Sequence, residues 1–170
     1  MNKFRVHHIM CTNLYKGYGY SGPFCENMTK MVSWLNENQD EPLLLVTHPD
    51  EICKKCPNLV DGIYCVDITN HVQKKDEKLL EPLKLNENKT YTYRKLKEHA
   101  KEYLTKEVFE KSCSNCEWYN QGLCRYEDFD WKWVTAICHV WTSSIEICYA
   151  EACYIKTSRI WIVRGSFLFV

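Results

Sequence analysis

SCSNCEWYNQGLC, residues 112–124, sets three cysteines about a turn, and ICKKCPNLVDGIYC, residues 52–65, does the same earlier in the chain. Aligned, Cys53, Cys56, Gly62 and Cys65 match Cys113, Cys116, Gly122 and Cys124, with the glycine six residues after the second cysteine in both copies. The physical reading is direct. A C-x-x-C turn aims two sulfurs at one point, and a glycine lets the chain fold back tightly enough to deliver a third. Cysteines serving only as small buried hydrophobes have no reason to recur in register with a turn glycine, so the spacing points to a bound metal or cluster.

Each loop supplies three thiols, whereas a closed tetrahedral zinc site or a fully ligated cubane cluster wants four ligands. HHIMC, residues 7–11, offers the remainder. The two triads plus Cys11 and one histidine complete two four-ligand sites, with Cys11 the better ligand for a cluster because thiolates are the common donors there. The candidate cofactor ligands are therefore Cys11, Cys53, Cys56, Cys65, Cys113, Cys116 and Cys124, with His7 and His8 as additional metal ligands. Cys25, beside Phe24, reads as a packed residue; Cys138, Cys148 and Cys153 have no paired spacing; His48, His71, His99 and His139 stand apart from any cysteine pair.

Composition supports this emphasis on the thiols. At 170 residues the chain has the length of one ordinary domain. Twenty-two lysines and arginines balance twenty-two aspartates and glutamates, so no net field recruits nucleic acid or an anionic membrane. MNKFRVHHIMC lacks the apolar centre of a secretory signal, and no later run spans a bilayer, which predicts a cytoplasmic protein. In a reducing compartment, eleven cysteines are better explained as ligands than as disulfides.

Between the loops the pattern is mostly helical. Pro23, with Ser21 or Gly22 as cap, opens a helix whose inward face is Phe24, Met28, Met31, Val32 and Leu35. LLLVT, residues 43–47, reads as a buried strand. From Asp67 a helix carries Val72, Leu79 and Leu83 on one side; residues 90–104 form an amphipathic helix with Leu96, Ala100, Tyr103 and Leu104 inward; Thr105 caps a further helix that leads into the second loop. These elements predict an α-rich α+β fold, one small domain with little sheet organised around the cysteine loops, over residues 1–125. Residues 126–170, with four of the six tryptophans, form an atypical apolar tail, either accessory or the product of a reading-frame shift.

HHIMC, KGYGYSGPFCENMTKMV, DEICKKCPN with Cys65 beyond it, and CSNCEWYNQGLC together resemble the small bacterial and archaeal family known as Domain of Unknown Function 1284. The resemblance runs over residues 4 to 125 and includes His7, His8, Cys11, Cys53, Cys56, Cys65, Cys113, Cys116 and Cys124. It implies iron–sulfur binding, as suggested for that family, and carries over no reaction. Position 25 is usually not cysteine in the family pattern, and the tail does not resemble it.

Three thiols on one loop with a distant fourth favour a four-iron, four-sulfur cluster. That predicts electron transfer or redox sensing, with a redox partner protein. Lys54 and Lys55 would then offset thiolate charge, and Trp118 and Tyr119 would shield the cluster. The alternative is a zinc-stabilised binding module for protein or nucleic acid with no redox role. RKLKEHAK, residues 94–101, is its best nucleic-acid feature, but Glu98 and Glu102 make that stretch an ordinary solvated helix face. No catalytic motif is recognised, so whether the protein is an enzyme stays open, as does its oligomeric state.

Overall fold

The first strand is one the sequence pattern did not announce. Asn2–Arg5 (β1) pairs in parallel with Pro42–Val46 (β2), Asn2 opposite Leu43 and Arg5 opposite Val46. Successive side chains of a strand point to opposite faces. Phe4 accordingly enters the hydrophobic core, while Arg5, only 2% exposed, is sent to the cysteine side. The computed structural model describes residues 1–65 and 71–129. The chain divides into two units, Met1–Ala136 and Ile137–Val170, and the described residues all belong to the first. The tail from residue 130, with Cys138, His139, Cys148 and Cys153, and the expected helix start at Asp67 lie outside the described residues.

The α-rich α+β reading holds. His8–Leu14 (α1) follows β1, and Gly22–Glu37 (α2) begins where Pro23 predicts, its cap Ser21 accepting the Phe24 N–H at 3.3 Å. Phe24, Met28 and Leu35 of α2 are buried, with Met31 and Val32 packed beside them. The expected strand is β2, whose other edge takes Thr90–Thr92 (β5) antiparallel, Pro42 opposite Thr92.

That pairing shortens the helix expected over 90–104. Its first three residues, Thr-Tyr-Thr, have the β-branched and aromatic character of a strand. Helix Tyr93–Tyr103 (α4) starts only when the Thr92 hydroxyl accepts the Lys95 N–H at 3.2 Å. Leu96, Ala100 and Leu104 are buried as expected. Helix His71–Leu80 (α3) buries Leu79, and helix Lys106–Cys113 (α5) is capped by Thr105, which accepts the Val108 N–H at 3.2 Å.

The matched cysteine loops begin alike and continue differently. In each, the fourth residue of C-x-x-C donates its N–H to the carbonyl of the first, Cys56 to Cys53 at 2.9 Å and Cys116 to Cys113 at 2.8 Å. Both glycines take a left-handed conformation, φ +70° at Gly62 and +73° at Gly122, as a tight return requires. The first loop then forms a two-stranded hairpin, Leu59–Val60 (β3) with Tyr64–Cys65 (β4), around Asp61-Gly62. The second forms a short helix, Glu117–Asn120 (α6). The C-x-x-C turn and its glycine offset are duplicated, but the third cysteine comes nine residues on in the first loop and eight in the second, and the supersecondary structure differs.

Two contacts set the loops in place. Asn27 of α2 donates its side-chain amide to the carbonyls of Glu51 and Ile52, both at 3.0 Å, pinning the 3-10 turn Ile52–Lys55 that carries Cys53. Phe109 of α5, buried at 1% exposure, meets the rings of Tyr119, Tyr126 and Phe129 at centroid distances of 5.9, 6.0 and 5.5 Å. This cluster anchors α5 and with it Cys113. Phe109→Ala is expected to cost about 3–5 kcal/mol in urea unfolding; a loss below about 1 kcal/mol would show that the second loop is held by something other than this ring cluster.

Candidate metal centre

Two buried carboxylates organise the N-terminal candidates. Asp50 Oδ2 accepts the Arg5 backbone N–H and lies 2.7 Å from His8 Nδ1, while Oδ1 accepts the N–H groups of Ile52 and Cys53 at 2.9 and 3.2 Å. Asp76, fully buried on α3, takes the His7 N–H at 2.8 Å and His7 Nδ1 at 2.7 Å on one oxygen, and Arg5 Nε at 2.6 Å on the other. An ionised carboxylate only accepts, so each imidazole presents its Nδ1–H to its aspartate and keeps Nε2 for another partner. The two rings stand 4.4 Å apart, and both line the same cavity.

Charge follows this geometry. Burial opposes ionisation of Asp50, but His8 and the backbone donors of Arg5 and Cys53 outweigh it and hold the carboxyl down at about 2. Asp76 is likewise held below its ordinary range, against burial, by His7 and Arg5. Burial drives His7 down to about 3, with Lys75 and His8 adding to the effect and Asp76 opposing it, so the ring is neutral at physiological pH. The charged partner of Asp76 is Arg5, whose ionisation range lies above the ordinary one despite burial.

Arg5 also reaches the first cysteine loop. Its Nη1 is 3.3 Å from Cys65 Sγ and 4.0 Å from Cys53 Sγ. Burial and the Asp50 charge push the Cys53 thiol up to about 12, and burial raises Cys56 as well. All eight described cysteines are free thiols. Cys11 lines the large cavity with Cys116 and a small pocket with Cys124, both of the second loop. It senses the charges of Cys113, Cys116 and Cys124; Cys113 senses Cys116 and Cys124; and Cys124 senses Cys116, which covers every pair of the four. Burial raises Cys11 strongly and Cys113 to about 12.

Among the described residues, one group of three donors brings its ligand atoms within 4.8 Å of one another, and it is His8, Asp50 and Cys53. That finding corrects the expectation of a four-iron, four-sulfur cluster and of the electron-transfer or redox-sensing role built on it. The compact group contains one thiol, one imidazole and one carboxylate, not four thiols, and suits a single ion. The error has a physical source: sequence spacing counts sulfurs but is blind to the carboxylate that draws a histidine, rather than another cysteine, against Cys53.

Other readings resolve individually. Lys54 pairs with Glu51 and is exposed. Trp118 packs on Tyr20 and Phe24, and Tyr119 on Phe109. His99 Nδ1 bonds the Leu83 carbonyl at 3.1 Å and His48 Nδ1 the Pro49 carbonyl at 3.2 Å, both structural contacts. Arg5, Asp50 and Asp76 are the buried charged residues of the candidate site that the motif reading passed over. Among the described residues, no helix is long and apolar enough to cross a membrane.

In the metal-free protein the sign of the acid response is fixed. The folded-state values of His7, Asp50 and Asp76 all lie below those of the unfolded chain, so the unfolded chain binds more protons in acid. The stability they contribute is complete above about pH 6.5 and declines as pH falls, first through His7 and then through the carboxylates. Urea midpoints of the metal-free chain should therefore fall between about pH 6.5 and 4, and His7→Gln should flatten that upper limb while leaving the carboxylate limb below it. A flat profile over that interval in the unaltered chain would refute the assignment.

Comparison with known proteins adds one match. No curated protein and no solved structure matches the chain. Residues 19–122 match the family model described as "Protein of unknown function (DUF1284)", a stretch that contains Cys53, Cys56, Cys65, Cys113 and Cys116 and leaves His7, His8, Cys11 and Cys124 outside it. Since the match spans well over half of the 170 residues, the chain belongs to the DUF1284 family.

Proposed function

We propose that this protein is a zinc-type metalloprotein, a metal-stabilised binding module in which the ion fastens the N-terminal segment to the first cysteine loop. The donor chemistry fits. Imidazole nitrogen and thiolate sulfur are the ligands that borderline-soft zinc prefers, and tetrahedral coordination by such mixed sets is common. His8 and Cys53 are the core of the site, with Cys56 and Cys65 from the same loop to complete it and His7 beside them.

Asp50 fits best as the residue that positions these ligands. Its two oxygens already accept from four N–H groups, including those of His8 and Cys53, which fills the acceptor positions a carboxylate has. A carboxylate behind a histidine fixes its tautomer and raises its basicity toward a metal. The single observation that carries the reading is this one: one buried carboxylate holds both the imidazole and the thiol-bearing turn that form the compact donor group.

The second set, Cys11, Cys113, Cys116 and Cys124, is a four-thiolate donor set of the structural zinc type. Among the described residues its sulfurs do not form a compact group of three donors, so holding an ion requires the second loop to close on Cys11. Zinc would then tie α1 to the end of α5, as the first site ties it to the turn before β3.

Elemental analysis of protein purified without chelator should find zinc. At a free-ion concentration 100 times Kd, binding contributes about 2.7 kcal/mol, so chelation should lower Tm by about 5–10 °C. His8→Ala and Cys53→Ser should each remove zinc and lower Tm, and Cys116→Ser should do so for the second set. Cys25→Ser, whose thiol belongs to neither set, should do neither. Protein that retains no zinc, or a Cys25→Ser variant that loses as much as Cys53→Ser, would overturn the reading.

A further inference from the structure

The cavity that His7 and His8 line is far larger than an ion requires. It has a volume of about 1080 Å³, the scale of sites that hold small organic ligands. Four lysines, Lys74, Lys75, Lys78 and Lys111, line it against two carboxylates, Glu107 and Glu117. Arg5 lines it too, but its charge is already engaged by Asp76. The lysines are not.

Among the described residues, none of these four lysines lies within ion-pair distance of an aspartate or glutamate, whereas Lys16, Lys54, Lys95 and Lys106 all do. Three of the four stand at 74, 75 and 78, and Lys78 is four residues from Lys74 and three from Lys75, the spacings that bring side chains together on one face of α3. Like charges at that spacing repel and destabilise a helix. Gathering them on the face that lines a cavity makes sense when something negative enters it. Lys75 is half-buried and lines the cavity together with His7, Cys11 and Cys116, and its charge opposes protonation of His7, Cys11 and Cys113.

Another part of the wall is aromatic. Tyr20 lies against Trp118 at 5.0 Å and 30°, and against Phe24 at 5.3 Å, and all three rings line the cavity. Tyr20 is nevertheless 41% exposed. An exposed ring backed by two others is a rigid platform on which a flat molecule can stack.

From this pairing of an unneutralised lysine face with an aromatic platform in one cavity, we propose that the protein binds a phosphate-bearing small molecule with a planar ring, a nucleotide in chemical class. The phosphate sits on Lys75 and Lys78, and the ring on Tyr20 and Trp118. The site goes beyond the metal reading and does not depend on it, since neither the lysines nor the rings are metal donors.

Calorimetric titration of the full chain, with zinc content measured on each sample, tests it with three probes: ADP, inorganic phosphate and adenosine. ADP should bind with 1:1 stoichiometry and at least about tenfold more tightly than phosphate or adenosine, and more weakly as salt rises. Lys75→Gln with Lys78→Gln should weaken ADP by about tenfold or more, and Lys78→Gln alone should weaken it with zinc content and Tm unchanged. Tyr20→Ala should weaken ADP but leave phosphate unaffected. If the double variant does not fold, Lys78→Gln alone, at an exposed position, must still weaken ADP. No saturable ADP binding, equal affinity for ADP and phosphate, or ADP binding indifferent to the lysine variants would each overturn the site. Zinc lost from His8→Ala while ADP binding fails would sink this inference and leave the metal reading standing.

Discussion

Four residues of chain, Arg5 to His8, are held by two carboxylates that never see solvent. Arg5 gives its backbone N–H to Asp50 and its guanidinium to Asp76; His7 gives both its N–H and its ring to Asp76; His8 gives its ring to Asp50. The donors interleave, so neither aspartate can shift without breaking the other's hold. Removing a carboxylate from water costs several kcal/mol unless its lone pairs are used, and here they are. Among the described residues, no buried side-chain nitrogen or oxygen is left without a partner. The end of β1, the start of α1, the orientation of both imidazoles and the placement of the first cysteine turn all follow from this one interlocked set.

The same set explains how two loops that share the C-x-x-C turn and its following glycine come to have different surroundings. The first loop sits beside Asp50, whose Oδ1 takes the N–H groups of Ile52 and Cys53, and so it shares a carboxylate with His8. The second is carried at the end of α5, and the carboxylate that bears on its Cys124 is Asp128, which is exposed and paired with Lys16. What recurs is the local device, a C-x-x-C turn followed by a left-handed glycine. What differs is the side chain each device meets. The first meets a buried imidazole and carboxylate, His8 and Asp50, beside Cys53.

Much of the scaffold was legible before any coordinates. Ser21 and Thr105 announced their helices because capping is local chemistry that the order of residues states outright. LLLVT announced β2 because an apolar run between prolines has few alternatives. β1 was hidden: a four-residue strand that opens on Asn2 and exposed Lys3 and buries Phe4 and an arginine in succession has no alternation to read. Asp76 was hidden more deeply. It lies in KKDEK, which has the composition of a solvated helix face, and only the approach of Arg5 and His7 from about seventy residues away makes it core. Asp50 was the missed opportunity, since an aspartate two and three residues before the N–H groups it caps is a recognisable turn signal. The four-iron expectation failed for a related reason. Spacing shows how many sulfurs a loop carries, whereas the identity of a site depends on which other donors tertiary contacts bring within a few ångströms.

The cavity's cations join the two donor sets to whatever occupies the space between them. With no cation bound, burial keeps Cys53 and Cys113 as neutral thiols, both at about 12, so an arriving metal ion must displace protons to make thiolates. Fixed positive charge lowers that cost. Arg5 lies 3.3 Å from Cys65 on the first loop, and Lys75 favours ionisation of both Cys11 and Cys113 on the second. An anion that takes up Lys75 withdraws part of that support from the four-thiol set, while Arg5, committed to Asp76, is not free to turn toward it. Lys75 bears on His7 as well as on Cys11 and Cys113, so one ammonium group couples both candidate donor sets to charge in the cavity they line.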